Sequence, residues 1–184
     1  MPERVFHSLG LEGDSRIRVD HTLSDGIRQA ALENNASLFL LGSQGPRPTT
    51  SFLVESVNDE ISRLVECPVA VAMTSELPTE QVVLAISKHD LNASRIDNLH
   101  AAVSIAAAAH QRLIVGPVDP AQLAGTGIVL PEKTEYKPSD KGIVPWVEQT
   151  SEKDSLVISI AQGWSFDRLE AMIHQRSCSL VAIT

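Results

Sequence analysis

The chain has 184 residues, 43% of them apolar, enough to fill one large core or two small ones. Its 15 Lys and Arg stand against 23 Asp and Glu, a formal charge of -8 with no basic cluster, which argues against a phosphate backbone; no nucleic-acid partner is expected. No apolar run approaches the roughly 20 residues that span a bilayer, and the opening MPERVFHSLG lacks the apolar segment of a signal peptide, so a cytoplasmic location is expected.

In chain order, RIRVDHT (16–22) alternates like a strand, and SDGIRQAALENN (24–35) has helical spacing at Ile27, Ala30 and Ala31, with Ser24 as its cap. SLFLL (37–41) is a short continuous apolar run of the kind a buried parallel strand requires. SFLVESVNDEISRLVE (51–66) again has helical spacing, through Phe52, Val57, Ile61, Leu64 and Val65, and PVAVAM (68–73) is a further strand. After the polar link TSELPTEQ comes a second series: strand VVLAIS (82–87), helix ASRIDNLHAAVSIAAAAHQ (93–111) and strand RLIVGPV (112–118). The small residues of 101–109 suit close packing of that helix in the core. A Gly- and Pro-rich stretch to about residue 143 offers only a short strand, GIVL (127–130). Helix PWVEQTSEK (145–153), strand SLVISIA (155–161), helix FDRLEAMIHQRS (166–177) and strand SLVAIT (179–184) complete the chain. Strands alternating with helices predict an α/β fold with a parallel, doubly wound sheet.

Two stretches recur. SLFLLGSQG begins at Ser37 and SLVISIAQG at Ser155, 118 positions later, and each precedes a predicted helix, a cysteine and an apolar strand. Those cysteines, Cys67 and Cys178, are 111 positions apart and are read as small buried residues of a reduced compartment. The repeat predicts tandem halves, 1–76 and 77–184, with a shorter loop in the second. The second half opens with the unit Val82–Val118, whose counterpart falls before residue 1, so the first half is expected to be incomplete. An unpaired edge in a parallel sheet favours completion by further residues of a longer polypeptide over completion by a partner chain.

The chemistry-bearing motif is GSQGPRPTTSFLVES, Gly42 to Ser56, between a strand and a helix. Glycines let backbone amides close on phosphate oxygens, and a hydroxyl at the following helix start adds a donor. The pattern Gly42, two residues, Gly45, nine residues, Glu55, Ser56 resembles the nucleotide-binding loop of the universal stress protein family, which has Gly in place of Glu55. The resemblance is strongest over Arg18–Met73 and weaker over Val82–Thr184. It implies an adenine-nucleotide-alpha-hydrolase-like fold in both halves, with ATP or another adenine nucleotide held by Gly42, Ser43, Gly45 and Ser56. Glu55 sets a carboxylate beside those phosphates, a like-charge contact of a few kcal/mol, order of magnitude, near a surface. The family's opening strand ends in an Asp facing the nucleoside; in the second half Ser87 of LAISKHD stands there, and its loop is reduced to Ala161, Gln162 and Gly163 beside Trp164.

His89 with Asp90, and Asp20 with His21, follow predicted strands, where α/β folds place functional groups. Asp90 or Asn92 also suits a helix cap, and Asp20 and His21 are placed to line the crevice of Gly42. There is no nucleophile elbow, no metal-ligand spacing and no P-loop lysine, so neither a metal nor catalysis is expected. The expectation is a non-catalytic cytosolic regulatory and interaction module, a homodimer or pseudo-dimer. Tandem halves of this family occur as tails of membrane transporters, so the resemblance also implies a transmembrane transporter domain, such as a cation/proton antiporter, in the same polypeptide. An ATP or adenine-nucleotide binding stress sensor is the alternative, and a small-molecule hydrolase using His89 and Asp90 a third.

Overall fold

A computed structural model describes residues 17–43, 60–61, 63–73, 79–149, 154–159 and 180–183. Among the described residues seven strands are formed: β1 Phe39–Ser43, β2 Val69–Met73, β3 Gln81–Ile86, β4 Arg112–Pro117, β5 Glu135–Tyr136, β6 Asp154–Ser159 and β7 Leu180–Ile183. Helices among the described residues include α1 Leu23–Glu33, α2 Ile96–Ala108, α3 Pro120–Leu123 and α4 Ile143–Val147.

The strands make one sheet in the order β1-β2-β7-β6-β3-β4-β5. β1 and β2 are parallel, and so are all neighbours from β7 to β5; the single antiparallel pair is β2 with β7, where Val71 faces Ala182. The α/β, largely parallel sheet is therefore as expected, with one reversal that strand–helix alternation does not encode. Apolar runs specify burial on both faces but carry no direction.

Alternation along β3 sorts its side chains between two cores. Val82, Leu84 and Ile86 join Leu99, Ala102, Val103 and Ala106 of α2 on one face; Val83 and Ala85 join Ile114, Trp146, Val147 and Ile158 on the other. The buried positions of α2 follow the spacing of a single helical stripe. Its alanines let the axis lie close to the sheet, so the small-residue run is core packing. Both faces of the sheet are covered by helices, as a doubly wound sheet requires.

Local signals decide the helix ends. Thr22 caps α1, its Oγ1 accepting from the Asp25 amide at 3.1 Å, with the Asp25 carboxylate in the first turn. Ser24 is thus a buried helical residue, two positions too late to cap. Asn35 ends the helix at φ 47, a left-handed conformation that asparagine tolerates. At α3, Asp119 and Gln122 exchange amide bonds at 2.9 and 3.0 Å in a capping box, with Pro120 in the first turn.

Two strand assignments change. Residues 17–22 are not a strand: Ile17 and Val19 are almost fully exposed, and no described strand lies alongside to satisfy their backbone. GIVL is also irregular, with Val129 exposed; the strand beside β4 is β5, extended by amide bonds from Lys137 to Val115 and from Ser139 to Pro117. Glu135, although polar, stands in that position paired with Arg112 of β4. The helix assigned to 145–153 forms earlier, at Ile143–Val147. Most of the predicted helix 51–66, all of 166–177, and Cys178 lie outside the described residues. Cys67 is half-buried and free, and burial raises its thiol above the ordinary range.

Candidate functional site

In the larger parallel set the chain runs β3, β4, β5 to one side and then returns to β6 and β7 on the other. β3 and β6 are therefore neighbours whose connections leave in opposite directions, the arrangement that opens a crevice at the carboxyl ends of an α/β sheet.

The carboxyl ends of these two strands are joined by Asp90, which is fully buried. Its Oδ2 accepts from the Ser87 amide and the Ser87 hydroxyl, each at 2.7 Å. Its Oδ1 accepts from the buried Ser159 hydroxyl at 2.9 Å and lies 3.7 Å from the Arg95 guanidinium. Ser87 follows β3, Ser159 ends β6, Arg95 immediately precedes α2, and Asp90 rides on the 3-10 turn Lys88–Leu91. Four donor groups thus converge on one carboxylate and close the switch point from within.

Sequence reasoning placed Asp90 as a cap or half of a His-Asp pair and did not anticipate this cluster. Asp90 is buried and His89 exposed, so the neighbours do not form a unit. Asn92 makes no side-chain cap bond. The one legible signal is a serine directly after the apolar run VVLAI of β3 and another directly after the apolar run LVI of β6.

At the other crevice, Gly42 and Ser43 form the carboxyl end of β1. Gly42 is exposed, and a Cβ built on it would meet nothing within 4 Å. Among the described residues, nothing would obstruct close approach of a phosphate to the backbone at Gly42. Gly45, Glu55 and Ser56 lie outside the described residues. Asp20 and His21 do not join Gly42: they line a cavity of about 470 Å³ with Leu23, Ile27 and Phe39, at the amino end of β1. Asp20 pairs with Arg18, whose guanidinium also donates to Glu33 at 2.6 Å. A second cavity, about 370 Å³, is lined by Gln81, Val83, Ile114, Lys141, Trp146 and Asp154, and so sits at the amino ends of β3 and β6.

Among the described residues no group of three or more His, Cys, Asp and Glu is placed to hold a metal ion, and no helix is long and apolar enough to cross a membrane.

Residues 7–72 match the model of the Universal stress protein family. Solved structures share the fold, among them two from Pseudomonas aeruginosa. One, from Pseudomonas aeruginosa UCBPP-PA14 and provisionally assigned as a universal stress protein, is 15% identical with a TM-score of 0.55, covering 98% of this chain and 75% of its own. The other, a functionally unknown protein from Pseudomonas aeruginosa PAO1, is 12% identical with a TM-score of 0.53, covering 98% and 74%. At these identities the likeness is one of fold. No curated protein matches the chain.

Proposed function

We propose that the chain is a non-catalytic cytosolic regulatory and interaction module of universal-stress-protein-like halves, residues 1–76 and 77–184, acting as a homodimer within a membrane transporter such as a cation/proton antiporter. The observation that supports a regulatory rather than catalytic reading is the Asp90 cluster: the polar side chains at the carboxyl ends of β3 and β6 are buried and bonded to one another. The reversal between β2 and β7 supports the two-half reading, since it divides the sheet into two parallel sets running in opposite senses. The transporter assignment rests on the resemblance alone. A reading frame that joins this chain to a transporter domain supports it, and one that encodes only this chain overturns it.

The open space beside Gly42 among the described residues favours a second reading, an adenine-nucleotide sensor using Gly42, Ser43, Gly45 and Ser56. There the backbone amides would hold phosphates and the Ser56 hydroxyl would add a donor. Titration calorimetry with ATP, AMP and cyclic dinucleotides separates the two. Micromolar binding that disappears in Gly45→Trp supports the sensor; no heat at millimolar nucleotide leaves the structural module.

A further inference from the structure

We infer that the outer edge of β1 is the seam of a symmetric dimer, where the same strand of a second copy of this chain pairs antiparallel about Leu40. The inference rests on the homodimer of the proposed reading and names the surface that forms it. β1 ends the sheet, and no described strand lies on its outer side. The Phe39 amide donates to the Pro68 carbonyl at 2.9 Å, toward β2. Backbone groups alternate sides along a strand, so those of Leu40 and Gly42 point to the open edge.

The other parallel pair shows how much cover this edge lacks. Leu156 faces Leu180 as Phe39 faces Val69, so Leu40 corresponds to Val157. Val157 has Leu84 of β3 beside it and is 3% exposed, whereas Leu40 is 59% exposed. Val19 and Leu23, also exposed, line the cavity beside Phe39, so the apolar surface continues from the edge onto one face. The opposite edge of the sheet is guarded: β5 has two residues, and Glu135 pairs with both Arg112 and Lys137. A short, charged edge discourages pairing. β1 has five residues and no charge.

A second copy is the occupant because this edge complements itself. All seven described strands already hold places in the sheet, so none is left to cover β1. A two-fold axis at Leu40 sets it opposite Leu40 of the partner subunit, with amide and carbonyl exchanged between them. Leu38 then faces Gly42 of the partner subunit, where a Cβ would meet nothing within 4 Å. An uncharged seam also keeps the two copies' repulsion, from a formal charge of -8 each, away from the contact.

Sedimentation of the full chain without nucleotide tests the seam. Wild type should be a dimer, and Leu40→Lys, which sets like charges face to face, should weaken association about tenfold or more. Val129→Lys, at an exposed site on the far side of the sheet order, should not. Leu40→Cys in a Cys67→Ser, Cys178→Ser background should form a disulfide-linked dimer with copper–phenanthroline, because directly opposed antiparallel residues stand within disulfide reach. This variant decides where Leu40→Lys does not fold. A monomeric wild type overturns the inference and the homodimer together. A dimer that a folded Leu40→Lys leaves intact, or that Leu40→Cys does not cross-link, overturns this seam alone.

Discussion

A Cβ placed on Gly116 of β4 would stand 2.5 Å from Cζ2 of Trp146 and would collide with the Lys137 carbonyl oxygen. That carbonyl is the acceptor for Trp146 Nε1 at 2.7 Å. The indole, α4 and the 137–139 segment therefore seat directly on a position that only glycine permits. Gly116→Ala should lower stability by about 1–3 kcal/mol, since the obstacle is backbone and a buried ring rather than a flexible chain end. Urea unfolding of the pair of proteins measures it; an unchanged midpoint contradicts the close approach.

Ser159→Ala removes a buried donor and leaves Asp90 Oδ1 with only the Arg95 contact among those described. The expected loss is about 1–3 kcal/mol. A double-mutant cycle with Asp90→Asn should give coupling of roughly 0.5–3 kcal/mol, whereas additive effects would mean the two strand ends are not energetically joined.

Thr22→Ala should cost about 1 kcal/mol through loss of the α1 cap. Ser24→Ala should cost clearly less, because Ser24 contributes no cap bond. Chemical denaturation ranks the two, and the reverse order would return the cap to Ser24.

Glu135 is held below the ordinary carboxylate range first by its hydrogen bond from Arg112 and then by the charges of Arg112 and Lys137. A depressed folded value stabilises above the unfolded Glu range, and that contribution fades as pH falls through the folded value. NMR titration should show Glu135 moving upward in Arg112→Ala. The stability change should be small and salt-sensitive, as the pair is exposed.

Glu55→Gly should strengthen ATP binding about tenfold or more if the first crevice holds nucleotide, by removing a like charge near the phosphates. Calorimetry decides; equal affinity in both proteins would show that Glu55 does not face the phosphates.

What the sequence determined by itself is most of the central strands and the class of fold. Continuous runs such as VVLAI and SLVIS have few alternatives to a two-sided sheet interior, and the Leu99, Ala102, Val103, Ala106 spacing allows one helix face. Only the tertiary structure decided what depends on a distant partner. GIVL is more apolar than Glu135–Tyr136, yet β5 lies where Arg112 and the β4 edge receive it. RIRVDHT alternates correctly, but a strand needs a neighbour for its backbone groups. The β2–β7 reversal follows from which edges meet, and no local pattern carries that information. Asp90 looked like a loop residue beside His89; its role came from Ser159, 69 residues away, because a carboxylate can be buried only where donors converge.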